Sequence, residues 1–234
     1  MSPTTRTIAQ SGVSAASVYM RQVYQWMTVG MALTAAVAYG VTSSPDLQQT
    51  ILDNSLITVA LIIAQFGLVI ALSAAVHKMS GQTATGLFLL YSALTGAMLS
   101  SVFVVYSTAS ISNAFLTTAG TFLAMSLYGT VTKRDLTAFG SFLFMGLIGI
   151  VIAMLVNIFL QSTLMDFIIT CLGVLIFTGL TAYDTQKLRR FGETAPLNDG
   201  TAVRRGAILG ALTLYLDFIN LFLLLLRLFG TNRN

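Results

Sequence analysis

The sequence predicts an all-α membrane protein with seven transmembrane helices. Three observations carry that prediction: the composition, the gaps between charges, and the distribution of basic residues among the loops. Of 234 residues, 56% are hydrophobic and only 9% charged, where a soluble globular chain carries about 25% charged residues. A mean hydropathy of +0.83 leaves too little polar surface to face water, so lipid is the solvent over most of the molecule. A cytosolic enzyme, a secreted disulfide scaffold and a disordered regulator are excluded. Cys171 is the sole cysteine and His77 the sole histidine, so neither a disulfide framework nor a Cys- or His-rich metal site is available.

The elements follow in order. Residues 1–23 read as a polar N-terminal segment. Met1 to Gly12 is rich in Ser and Thr, with one arginine and no apolar core, and so is not a signal peptide. Tyr19 to Gln25 reads as an amphipathic lead-in at the interface, where Tyr19, Tyr24 and Trp26 suit headgroup depth. Residues 24–234 form the seven-helix domain. A membrane helix needs about 20 mostly apolar residues, and the first such window runs from Tyr24 to Thr42, ended by Pro45 and Asp46. The second runs from about Ser55 to Val76 and stops at His77 and Lys78. From Met79 to Thr132 there are 54 positions without a charge. That run holds two spans, separated by the polar cluster Ser107, Thr108, Ser110, Ser112 and Asn113. After Lys133, Arg134 and Asp135 the fifth span reaches from about Phe139 to Leu160, ending in Gln161, Ser162 and Thr163. The sixth occupies Asp166 to about Leu188, and the seventh Gly206 to about Phe229. Pro196, Asn198, Asp199 and Gly200 mark the intervening connection as a turn-rich loop.

Basic residues concentrate in cytoplasmic loops, which gives a test independent of hydropathy. With seven spans, Arg6, Arg21, Lys78, Lys133, Arg134, Lys187, Arg189, Arg190, Arg204 and Arg205 share one side, and only Arg227 and Arg233 of the 12 basic residues fall on the other. The opposite loops carry Asp46, Asp53 and Asp166. This distribution puts the N-terminus in the cytoplasm and the C-terminus outside. The net charge of +4 then reflects orientation and contact with the lipid bilayer, not a nucleic-acid footprint.

Two aspartates stand where lipid should be. A carboxylate within a span costs about 2.5–3.5 kcal/mol on insertion scales, so it needs a partner, a proton or water. Asp217 lies roughly 15 Å along the last helix from Gly206, close to the midplane. Gly206, Gly210, Thr213, Asp217 and Asn220 are spaced 4, 3, 4 and 3 apart and form one stripe. Thr213 and Asn220 are placed to hydrogen-bond across a helix contact. Asp184 lies near the cytosolic end of the sixth helix, on a stripe with Phe177 and Thr181 and close to Lys187, Arg189 and Arg190. An ion pair at the helix end would also account for Asp184, and a charged helix end for His77 and Lys78. Gln65, Asn157 and Gln186 read as interhelical hydrogen-bond partners.

On ideal helices Asp184 sits about 8 Å nearer the cytosol than Asp217, so the spacing leaves contact between them open. If they meet, both cannot ionise cheaply and one proton is shared between them. With one proton the pair clamps two helices. With none, repulsion or a cation replaces the clamp. Hard cations such as calcium take oxygen ligands, and Asp184, Asp217 and Asn220 supply fewer than the six to eight of a storage site, which favours transient passage or modulation over tight binding.

These residues also carry a resemblance. The stretch Gly179 to Gln186, GLTAYDTQ, and the stretch Gly210 to Phe222, GALTLYLDFINLF, resemble the two motifs of the Bax inhibitor-1 family, also called the transmembrane Bax inhibitor motif family. Span count, orientation and length agree, and the whole chain is similar to a bacterial inner-membrane member. The resemblance implies six helices in two three-helix layers around a central C-terminal helix. It implies a pH-sensitive passive calcium leak gated by an aspartate pair, here Asp184 and Asp217, with calcium as the transported or modulating ion and no other cofactor. It further implies an arginine toward the inner end of the second helix. Here that region offers Lys78 beside His77, a point charge where arginine presents a fork.

Other functions fit less well. An intramembrane aspartyl protease uses two aspartates, and Tyr183-Asp184 is similar to its first motif. Leu214, Tyr215 and Leu216 precede Asp217 where Gly-x-Gly is required, so the chain is not expected to be an enzyme. A retinal protein requires a lysine in the seventh span, and a seven-helix receptor has its N-terminus outside. The remaining alternative is a non-transporting membrane regulator that binds other membrane proteins, such as a quality-control protease, a role that the resemblance also implies. Few polar residues line the other six spans, which suits a slow pathway and not a wide aqueous pore.

Overall fold

The computed structural model describes residues 3–52, 54–195, 199–231 and 233. Asp53, Pro196 and Asn198 of the readings above lie outside them. Among the described residues the regular structure is all helical: α1 (Pro3–Thr42), α2 (Pro45–Leu52), α3 (Ser55–Ala75) with a 3-10 turn (Val76–Lys78), α4 (Gly81–Val105), α5 (Thr108–Val131), α6 (Thr137–Leu160), α7 (Thr163–Glu193) and α8 (Gly200–Phe229). Six of these helices, counting from α3, are each long and apolar enough to cross a membrane. A seventh span exists if Ala15–Thr42 and Pro45–Ile51, which meet at a bend of 105°, are taken as one. The expected first span is therefore the weakest. Gln25, Thr28, Thr34, Tyr39 and Thr42 dilute its apolar run, and the helix continues without a break back to Pro3.

The helix ends are set by local chemistry. Pro45 opens α2, where a missing N–H costs nothing, and Asp46 follows in its first turn. Asn54 caps α3 by accepting from the N–H groups of Leu56 and Ile57, and Ser107 caps α5 by accepting from Ser110. α6 ends at Gln161, which adopts the left-handed conformation at φ 49° and donates its N–H to the Asn157 carbonyl. Asp199 accepts from the N–H groups of Thr201 and Ala202 at the start of α8.

The chain divides into two compact units. The first comprises residues 1–105 and 189–215. Here α1 and α3 pack on α4, and α2 touches all three. The α1–α4 contact depends on glycines: a Cβ on Gly96 would stand 2.5 Å from the Thr34 carbonyl oxygen, and one on Gly30 2.6 Å from the Phe88 ring. Tyr19 is buried, donates to the Gly206 carbonyl at 2.8 Å and stacks against Phe191. For this residue the structure replaces the expected headgroup contact with a packing anchor. Arg204 donates to Thr85 at 3.0 Å and lies over the Trp26 ring, and Arg205 caps the 3-10 turn by donating to the carbonyls of His77 and Met79.

The second unit comprises residues 106–188 and 216–234. A Cβ on Gly129 would fall 2.2 Å from the Ala182 carbonyl oxygen, which brings α5 onto the backbone of α7. Gly140 lies beneath the Tyr183 ring and Gly179 beside Leu143, which does the same for α6 and α7. Gly173 of α7 lies against Leu224 of α8. Phe218 and Phe222 of α8 meet Phe115 edge to face, and Phe218 also meets Phe122. At the end of α8, Arg227 pairs with Asp166, and Thr231 hydrogen-bonds to Ser110 and accepts from Ser107.

Candidate functional site

The last helix differs from the others in its environment. In its most apolar stretch 72% of the residues are buried, against 11% in α6 and in α3 with its 3-10 turn. Leu214, Leu221 and Leu226 are fully buried, whereas Gly206, Thr213 and Asn220 of the polar stripe are half-buried. The half-buried positions of α8, Gly206, Leu209, Thr213, Leu216, Asn220 and Leu223, follow one face, and the rest of the helix between Gly206 and Leu226 is buried.

Asp217 lies in this buried part of α8. It is 5% exposed, and its Oδ2 is buried without a hydrogen-bond partner among the described residues. Asp184, half-buried on α7, lies close enough that the charges of the two carboxylates repel each other. The contact between Gly173 and Leu224 allows the two heights to be compared. Asp184 lies eleven residues from Gly173 and Asp217 seven residues from Leu224, in both cases toward the same end of these antiparallel helices. At 1.5 Å per residue that offsets their backbones by about 6 Å along the helices, close to the offset expected from sequence. Repulsion between two like charges is stronger in a low-dielectric interior than in water. On its outer side Asp184 is drawn toward Lys187, whose ammonium lies 5.8 Å from the centre of the Tyr183 ring.

The position of Asp184 is fixed by its neighbours on α7. Ala182 carries the close approach of α5, and Thr185 donates to Ser126 of α5 at 3.3 Å. Gln186 accepts from the Leu136 N–H at 2.9 Å and donates to the Arg134 carbonyl at 2.8 Å, tying α7 to the connection between α5 and α6. The interhelical role expected of Gln186 is the one it has, and Gln65 accepts from Thr95 of α4 at 3.4 Å. Asn157 differs: its side chain accepts from the N–H of Ser162 and closes the end of its own helix. Thr213 and Asn220 differ as well. They donate to the carbonyls of Leu209 and Leu216, four residues back on α8, and not across a contact. Thr181 likewise donates to Phe177 in its own helix. In the interior of a helix a Thr or Asn has a carbonyl one turn back within reach, and the local bond competes with the interhelical one.

Asp184, Asp217, Asn220 and Thr181 belong to the second unit, and His77, Lys78 and Thr213 to the first. Among the described residues no three His, Cys, Asp or Glu side chains converge on a point. Two carboxylates alone do not compose a closed coordination shell.

A further buried polar cluster was not apparent from the sequence. Thr34 donates to the Ser92 carbonyl at 2.9 Å and shares a 2.6 Å hydrogen bond with the Tyr215 hydroxyl. Phe88 and Tyr91 set their rings edge-on to Tyr215. The available signal was a hydroxyl residue in each of two apolar runs, which does not reveal its partner.

Comparison with known proteins agrees with the motifs. The family model described as inhibitor of apoptosis-promoting Bax1 matches residues 16–234. The chain is 56% identical over 215 residues to the inner membrane protein YbhL of Escherichia coli, covering 92% of each chain. It is 50% identical over 217 residues to an uncharacterised protein of Borreliella burgdorferi, covering 92% of this chain and 93% of that one. It is 41% identical over 216 residues to an uncharacterised protein of Deinococcus radiodurans, covering 92% and 91%. With a family match over nearly the whole length, a relative that is an inner membrane protein, and at least six membrane-length helices, this chain is a membrane protein of the Bax inhibitor-1 family.

Proposed function

We propose that the chain is a pH-sensitive passive leak for calcium, gated by the proton held between Asp184 and Asp217. The observation that carries this reading is the buried, unpartnered Oδ2 of Asp217 on the most enclosed helix, within repulsive range of Asp184. A buried carboxylate with an unfilled acceptor costs more than a surface one, and selection for stability alone would replace it with a leucine. A proton on the pair removes the repulsion and holds α7 and α8 together. Loss of that proton leaves two negative charges that part the helices and attract a divalent cation. In this reading the N-terminus faces the cytoplasm of a bacterium. The flux is low, because α3 and α6, the most apolar of the six membrane-length helices, offer no hydrophilic lining.

Purified protein in liposomes with calcium on one side and a fluorescent indicator on the other tests this. A slow leak that responds to pH, and loses that response in Asp217→Asn, is the expected result. A leak with the same pH profile in the variant overturns the gating role. A protein that is folded but never leaks points instead to a non-transporting regulator that binds other membrane proteins.

A further inference from the structure

Three cations stand together in the first unit. Arg204 and Arg205, neighbours in the second turn of α8, reach in two directions. Arg204 donates from Nε to the Thr85 hydroxyl at 3.0 Å and lies 5.4 Å from the centre of the Trp26 ring. Its stem runs over Gly81, where a Cβ would stand 3.1 Å from the arginine Cδ. Arg205 donates from Nη1 to the carbonyls of His77 and Met79, at 2.7 and 3.2 Å, and so brackets the residue between them, Lys78. Lys78 is exposed and both arginines are half-buried.

These anchors hold the cations without neutralising them. A threonine hydroxyl and two carbonyls carry no charge, and among the described residues no carboxylate pairs with Lys78, Arg204 or Arg205. The described acids of this unit are engaged elsewhere: Asp46 lies in the first turn of α2, Glu193 pairs with Arg189, and Asp199 accepts from Thr201 and Ala202. α4 begins at Gly81, beneath the Arg204 stem, so the positive end of its dipole adds to the same field. The complement of this cluster is an anion.

The setting selects the anion. Tryptophan in a membrane protein sits at headgroup depth, and Arg204 rests on Trp26, so the cluster lies at the level of the lipid phosphates. Basic residues gather at membrane surfaces in general, but most are free to move, whereas both guanidinium groups here are already fixed by the protein. Little rotamer freedom is left for them to lose on binding. Their remaining N–H groups suit the paired contacts that guanidinium makes with phosphate oxygens. A zwitterionic headgroup also brings an ammonium that the cluster repels, and an anionic one does not.

We propose that Trp26, Lys78, Arg204 and Arg205 form a binding site for the phosphate of an anionic phospholipid headgroup. Selection is by headgroup charge, and the acyl chains are immaterial. The site lies within the first unit and stands whether or not the protein leaks calcium.

Trp26 is the sole tryptophan, so its fluorescence reports on this site. The full chain is reconstituted in phosphatidylcholine bilayers with a rising fraction of phosphatidylglycerol or phosphatidylethanolamine, both carrying the same brominated acyl chains, which quench a tryptophan they adjoin. In the wild type, half-maximal quenching is reached at a several-fold lower fraction of phosphatidylglycerol than of phosphatidylethanolamine. Lys78→Gln and Arg205→Gln lose most of that preference. Arg21→Gln, which removes an exposed positive charge from another face of α1, keeps it. Thermal unfolding checks that each variant is folded, and Lys78→Gln, which alters only an exposed side chain, decides the matter if Arg205→Gln is not. Equal quenching of the wild type by the two lipids, a preference that survives in Lys78→Gln, or an equal loss in Arg21→Gln overturns the proposal. So does a preference that inorganic phosphate abolishes and chloride at the same ionic strength does not, which would assign the site to a free anion.

Discussion

Thr34 of α1 and Tyr215 of α8 are joined by a 2.6 Å hydrogen bond between their hydroxyl oxygens. The Thr34 proton is directed to the Ser92 carbonyl, so Tyr215 is the donor in this bond. Both side chains are buried, and the two bonds tie α8 to α1 and α1 to α4.

Removing either partner has a different cost. Tyr215→Phe keeps the ring contacts with Phe88 and Tyr91 and loses one hydrogen bond, worth about 0.5–1.5 kcal/mol. Thr34→Val keeps volume but strips a partner from two buried groups, at about 1–3 kcal/mol for an unsatisfied buried group. Thermal unfolding in detergent should therefore rank wild type, Tyr215→Phe and Thr34→Val in falling order of stability.

Glycines set the helix spacing, and not all of them matter. A Cβ on Gly129 would meet the Ala182 carbonyl oxygen at 2.2 Å, whereas one on Gly120, on the same helix, meets nothing within 4 Å. Gly129→Ala forces α5 away from the α7 backbone beside Asp184 and is expected to destabilise by about 1–3 kcal/mol, as overpacking does. Gly120→Ala is expected to be neutral or slightly stabilising through helix propensity. Equal melting temperatures for the two variants would contradict the packing described.

Much of this architecture was legible in the sequence because lipid imposes a simple rule. Uncharged runs of membrane length became α3 to α8, with ends within a few residues of the charges and polar clusters that bound them. α7 and α8 extend further into the connection between them than hydropathy indicates, since Lys187 to Glu193 and Gly200 to Arg205 remain helical although polar. The first span was the exception, because helix formation continues through a polar stretch that hydropathy cannot score. At the site, burial of Asp217 followed from its place within an apolar run. The partners of Thr213 and Asn220 did not, since a helical period shows which face a residue occupies but not whether it bonds across or back along its own helix. The Thr34–Tyr215 bond spans 181 positions, and no local pattern encodes a contact of that separation.

The inside-positive charge count makes the topology testable. In a Cys171→Ser background, Asn234→Cys should react with a membrane-impermeant maleimide in intact spheroplasts. Ser2→Cys should react only after lysis. The reverse pattern would contradict the orientation expected from the charge count.

The pH response has a sign on electrostatic grounds. If the proposed gating holds, rising pH removes the shared proton, the two charges repel and the contact between α7 and α8 loosens, so the expected outcome is a calcium leak that increases with pH. Asp217→Asn and Asp184→Asn each retain side-chain volume but cannot develop the second charge. Both variants should show a leak that varies less than about twofold over a pH range in which the wild-type leak changes several-fold.

Infrared difference spectroscopy of the carboxyl C=O stretch, recorded as a function of pH on wild type, Asp184→Asn and Asp217→Asn, tests the central claim most directly. A coupled pair titrates in two steps that belong to both residues, so removing either carboxyl should shift the titration of the other. Two independent transitions, each unchanged when the other aspartate is replaced, would contradict it.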